Sequence, residues 1–202
     1  MSPQFPCLPF ELHLTTAPLT AERLPGFEQL CRQAGGKALL IELARGQHCQ
    51  QPMLSLVTHG HQASIALAQA RQLAAQFSAA GYPVVRLKLE VPAWGAALVR
   101  PVLATSGSSY YEWHGRVGSE RVEELRARCE HQGAHLSINA LRQLPNARFV
   151  TLREYGSAAG FAERVAGLRH DLVFHGWALV KQQAEFCFFD SRQALDAGWL
   201  TF

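Results

Sequence analysis

No apolar run in the 202-residue chain reaches the ~18 residues of a membrane-spanning helix, so no membrane partner is expected. The N-terminal MSPQFPCLPFE has neither a basic run nor an apolar core of signal length, and the expected location is the cytoplasm. Excess positive charge is missing too. The net charge is only +3, too little for the electrostatic footprint of a nucleic-acid binder. The five cysteines, at 7, 31, 49, 129 and 187, form no CxxC pair, which argues against a cysteine zinc site or a disulfide framework and fits a reducing compartment. Phosphate-cradling glycine loops are absent: GSAAG at 156–160 lacks the accompanying lysine and reads as a turn that starts a helix. HGH at 59–61 and HC at 48–49 have no third ligand at metal spacing. Neither a metal nor a cofactor is expected.

What is present is one pattern, twice. Set against each other, AAGYPVVRLKLEVP (79–92) and FHGWALVKQQAEFC (174–187) match Gly81 with Gly176, Tyr82 with Trp177, Arg86 with Lys181 and Glu90 with Glu185. Upstream, Ala70, Leu73 and Phe77 fall on Val165, Leu168 and Leu172, each set at the three-to-four spacing of a buried helix face. LSLVTHG (54–60) matches VTLREYG (150–156). Each copy reads strand, helix, strand, strand, helix, strand, with Gly35, Gly81, Gly133 and Gly176 just past the helices, where left-handed caps are wanted. Ser119 is placed to cap the first helix of the second copy. The expected fold class is therefore α+β: two tandem ferredoxin-like βαββαβ domains related by internal duplication, with antiparallel sheets. The boundaries are 1–95 for the first repeat, 96–109 for a linker, and 110–202 for the second repeat with a C-terminal tail wrapping back through Trp199 and Leu200.

Alternation along the strands sorts side chains by face. Phe10, Leu12, Leu14, Leu54, Leu87 and Leu89 belong under the helices. The opposite face carries Glu11, His13, Thr15, Arg86, Lys88 and Glu90 in the first copy, and Glu112, His114, Arg116, His135, Thr151, Arg153 and Glu185 in the second. Such faces are either solvated, as one side of an antiparallel sheet commonly is, or they meet across a pseudo-twofold axis and enclose a polar cleft. Phe149, Tyr155 and Val57 on the same faces favour enclosure.

HLTT at 13–16 resembles the His-hydrophobic-Thr-x signature of the two-histidine phosphoesterases, which are themselves duplicated lobes. The mate of His13 is His114, whose motif reads HGRV, with Arg116 where the family has a hydroxyl. The resemblance implies a hydrolase in which His13 and His114 act as acid and base on a phosphorylated or otherwise anionic small molecule. Glu11, Thr15, Lys88, Glu90, Glu112, Arg116, His135 and Arg153 would then line the substrate site. The chain as a whole, through FELHLTT, VVRLKLE, FDS at 189–191 and WL at 199–200, also resembles an uncharacterised bacterial family. Two other functions stand beside the hydrolase. One is a non-catalytic small-ligand-binding or regulatory protein; the other is an assembly module whose faces or strand edges pair in a homo-oligomer.

Overall fold

A computed structural model of the chain describes residues 6–99, 109–118, 120–141 and 147–199. Strand β1 (Leu8–Thr16) leads to helix α1 (Leu24–Gln33), strands β2 (Lys37–Leu43) and β3 (Gln50–Gly60), helix α2 (Ala63–Ala79) and strand β4 (Val84–Pro92). After the single turn α3 (Ala96–Val99), the same order recurs. It comprises β5 (Tyr110–Gly118), α4 (Val122–His131), β6 (Ala134–Asn139), β7 (Ala147–Glu154), α5 (Ala158–Phe174) and β8 (Lys181–Asp190). Local chemistry sets the helix ends. Pro25 sits in the first turn of α1, where its missing N–H costs nothing, and the Ser157 hydroxyl accepts from Gly160 N to cap α5. Gly35, Gly81, Gly133 and Gly176 all adopt positive φ after a helix. Ser119, most of the expected linker and the turn before β7 lie outside the described residues.

The eight strands form one closed antiparallel barrel in the order β1-β3-β2-β6-β7-β5-β8-β4. This corrects the expectation of two separate sheets. Ile41 pairs with Asn139 across β2–β6, and Leu89 pairs with Phe189 across β4–β8. Closure satisfies the backbone groups that two open sheets would leave at their edges. Among the described residues each strand has a neighbour on both sides, so they leave no open strand edge of the kind expected for pairing with a second copy.

Apolar parity sends Phe10, Leu12, Leu14, Leu54 and Leu89 outward, beneath Phe27, Cys31, Ala70 and Phe77 of the helices. Trp113, Val150 and Leu152 meet Leu125, Cys129, Phe161, Leu168 and Leu172 in the same way. Burial raises the Cys31 and Cys129 thiols to about 12, which leaves them inert packing groups. The Trp113 ring lies over Gly115, where an added Cβ would stand 2.3 Å from a ring carbon, so only glycine admits the indole. The tail runs across one end of the barrel, with buried Trp199 donating from Nε1 to Leu136 O at 3.1 Å.

Candidate functional site

With the helices outside, the polar parity faces inward. An eight-stranded barrel is about wide enough for its own side chains to fill it, and this one is filled by charge. Glu90, Glu112, Lys88 and Arg153 are all buried, and a chain of contacts joins the two histidines. His13 Nε2 lies 3.1 Å from Glu90 Oε2 and Lys88 Nζ lies 2.8 Å from Glu90 Oε1. Lys88 also donates to Glu112, whose Oε2 is 3.2 Å from His114 Nε2. Arg153 holds Glu112 Oε1 through both Nε and Nη2, at 2.9 and 2.7 Å.

The strand registers set equivalent residues in equivalent places. Glu11 faces Glu90 as Glu112 faces Glu185, and His13 faces Lys88 as His114 faces Gln183. On the other side, Glu11 faces Val57 as Glu112 faces Arg153. Each imidazole thus stands between a glutamate of its own strand and one of the next: His13 with Glu11 and Glu90, His114 with Glu112 and Glu185. The cations do not follow this symmetry. Lys88 and Arg153 both serve Glu112, while their counterparts near Glu11 are the uncharged Gln183 and Val57.

The titration of the carboxyls follows this imbalance. Burial works to raise Glu112, but Lys88 and Arg153 outweigh it and hold the group well below the ordinary carboxylate range. Burial likewise opposes ionisation of Glu90, and Lys88 and then His13 bring it below its ordinary value. For Glu185 the charge of Lys88 and the hydrogen bond from Gln183 are outweighed. Burial, then the charges of Glu90 and Glu11, push it up to about 10, so at neutral pH it keeps its proton. Gln183 Nε2 bridges the crowded acids, donating to Glu11 Oε2 at 3.0 Å and to Glu185 Oε1 at 2.8 Å, and Ser55 donates to Glu11 at 2.9 Å. This end of the interior is reachable: the side chains of His114, Glu11 and His13 are 33%, 20% and 15% exposed.

Of the site residues expected from sequence, Glu11, His13, Lys88, Glu90, Glu112, His114 and Arg153 come together in this cluster. Thr15 is buried opposite Arg86, four residues along β1 from Glu11. Arg116 is half-buried on the β5 rung beside Phe149 and Lys181. His135 contacts Arg45 and the Trp199 ring, and burial, then the charge of Arg45, lowers it to about 4. Val57 and Tyr155, taken as signs of enclosure, are about half exposed, at 49% and 44%. Asp190 and Asp196 were missed. Asp190 is the last residue of β8 and Asp196 lies in the turn after it; the signal was the pair of acids in the tail DSRQALDAG.

No protein-family model matches the chain, and no curated protein matches it. Among solved structures, a mutant chlorite dismutase from Candidatus Nitrospira defluvii is 14% identical, over 89% of this chain and 90% of that one, with a TM-score of 0.31. A heme-binding protein from Thermus thermophilus is 15% identical over 90% and 92%, also at 0.31. A putative chlorite dismutase is 8% identical over 94% and 97%, at 0.31. At these scores the likeness assigns no chemistry to this chain. None of these is a two-histidine phosphoesterase, and no family model stands behind the resemblance to an uncharacterised bacterial family. The interior overturns the hydrolase reading on physical grounds. A phosphate brought between His13 and His114 would meet the carboxylates of Glu11, Glu90 and Glu112, and like charges at such distances repel strongly in a buried site. The expectation of an anionic substrate is withdrawn with it. Among the described residues no helix is long and apolar enough to cross a membrane.

Proposed function

We propose that the protein binds a small molecule without turning it over, and that the ligand is a small protonated amine seated where Glu11, Glu90 and Glu185 converge. One observation carries this reading: the surroundings of Glu11 and Glu112 match in their acids and imidazoles but not in their cations. Where Glu112 has Lys88 and Arg153, the equivalent places around Glu11 hold Gln183 and Val57. An ammonium group supplies the charge that Gln183 and Val57 lack, and it would let Glu185 ionise beside Glu11 and Glu90, whose charges, together with burial, otherwise keep it protonated. His13, His114 and Gln183 would orient it. The matching registers also support descent of both halves from one ferredoxin-like unit, with 1–95 and 110–202 as the repeats and 96–109 joining them.

Heme, the ligand of the Thermus thermophilus protein, finds no evident fit in the hollows beside the helices among the described residues; the one on α1 is lined by Pro25, Gln29, Arg32 and Gln33. The groove under α2, about 320 Å³, is lined by residues such as Phe10, Leu12, Leu73 and Leu89, with no imidazole, thiol or phenol among them. The hollow of about 480 Å³ beside His170 is lined by α5 alone.

Isothermal titration of a panel of monoamines, diamines and size-matched carboxylic acids, in two buffers of different ionisation enthalpy, tests the proposal. Amines bind and acids do not. Amine binding releases a proton, because a cation beside Glu185 lowers its pKa, and Glu185→Gln abolishes that release. Equal binding of amines and acids, or binding of neither, contradicts it.

A further inference from the structure

The opposite end of the barrel has a different composition. Here β4, β7 and β3 each contribute one polar side chain, and all three converge on one carboxylate from the tail. Arg86 Nη1 donates to Asp196 Oδ1 at 3.0 Å, Arg153 Nη2 to Oδ2 at 3.0 Å, and Gln51 Nε2 to Oδ1 at 3.3 Å. Asp196 is buried, as are both arginines. The guanidiniums are already paired on their other sides. Arg86 is paired with Asp190 at 2.9 and 2.6 Å, Arg153 with Glu112, and Tyr110 donates to Asp190 at 2.7 Å. The Tyr110 ring lies 4.0 Å from the Arg153 guanidinium carbon and orients that fork. Two pre-oriented guanidiniums and an amide around one carboxylate make a built anion site.

Asp196 does not use all of it. Arg153 Nη1 is buried with no hydrogen-bond partner among the described residues, and an unpaired buried donor is costly. The segment that delivers Asp196 is short. It leaves β8 through Ser191, whose backbone and hydroxyl pair with Leu87, makes one turn at Gln193–Asp196, and ends on the Ala197 carbonyl and the Trp199 indole.

We propose that this end of the barrel is a binding site for a small free carboxylate, which the chain fills with its own Asp196, the segment 191–199 acting as a displaceable plug. The unused Arg153 Nη1 selects a carboxylate with a second oxygen on the neighbouring carbon, a 2-hydroxy or 2-oxo acid. Such a ligand satisfies the donor that a side-chain carboxylate leaves free. The site has the opposite charge preference from the amine site and meets its ion network at Arg153, whose Nη2 donates to both Glu112 and Asp196; the proposal does not require that an amine bind.

The test uses the full chain and its Asp196→Ala variant, with sodium chloride, acetate and glycolate as probes at matched ionic strength. The variant melts below the wild type. Acetate raises its midpoint in a saturable way, glycolate does so at a several-fold lower concentration, and chloride does neither. In Asp196→Asn, where an amide fills the space, the carboxylates have no such effect. Equal gains from chloride and the carboxylates, or no gain from any, overturn the site. A second readout needs no variant: in the wild type, glycolate but not chloride speeds hydrogen exchange of the Trp199 backbone and indole N–H groups. Exchange unchanged by glycolate overturns the displaceable plug.

Discussion

Replacing Glu185 by glutamine should stabilise the protein, and by an amount that grows with pH. The side chain is 5% exposed, it is crowded by Glu90 and Glu11, and its pKa is raised from 4.5 to about 10. A carboxyl with a raised folded-state pKa contributes most below its unfolded pKa and loses that contribution as pH rises toward its folded value. Between roughly 4.5 and 10, the unfolded chain gives up a proton that the folded chain must keep. Each pH unit in that window costs the wild type about 1.4 kcal/mol relative to a neutral amide of the same shape. At pH 7 the gain from Glu185→Gln is therefore about 3 kcal/mol, and from pH 5.5 to 8.5 the gap widens by up to about 4 kcal/mol. Other perturbed groups, such as Glu112 and His135, occur in both proteins and cancel to first order. Urea unfolding followed by far-ultraviolet circular dichroism at pH 5.5, 7 and 8.5 measures the gap. A gap that stays flat or narrows as pH rises would refute the reasoning.

Lys88→Met removes the cation shared by Glu90 and Glu112; a loss of about 3–5 kcal/mol is expected for stranding buried charge, and the loss shrinks on mild acidification in denaturant titrations. Phe27→Ala empties a fully buried position packed edge-on against Phe77 and should cost about 3–5 kcal/mol by the same assay, with no pH dependence.

Much of the fold was legible because strand parity and helix spacing are local properties. FELHLTT and YYEWHGRV announce which side chains go under helices and which do not, and Glu11, His13, Glu112 and His114 sit on the predicted face. Closure was not legible, because it depends on β2 meeting β6 and β4 meeting β8, pairings far apart in sequence. No alternation within a strand states whether two polar faces look at water or at each other. The consequence for chemistry was large. Read as an open cleft, the histidines suggested phosphate chemistry; closed into a barrel, the same faces bring four glutamates into one interior, and His13 and His114 become members of a polar network built around those acids. Asp196 escaped notice for a related reason. Its partners Gln51, Arg86 and Arg153 lie on three different strands and converge only once the barrel has formed.

Carbon-13 titration of the glutamate side-chain carboxyls, with Glu185 assigned through Glu185→Gln, most directly tests the claim that the place where Glu11, Glu90 and Glu185 converge holds more acid than it can ionise. The account predicts a Glu185 resonance that stays in the protonated range through pH 8, while Glu112 titrates below the ordinary carboxylate range. A Glu185 signal that titrates near 4.5 would contradict it.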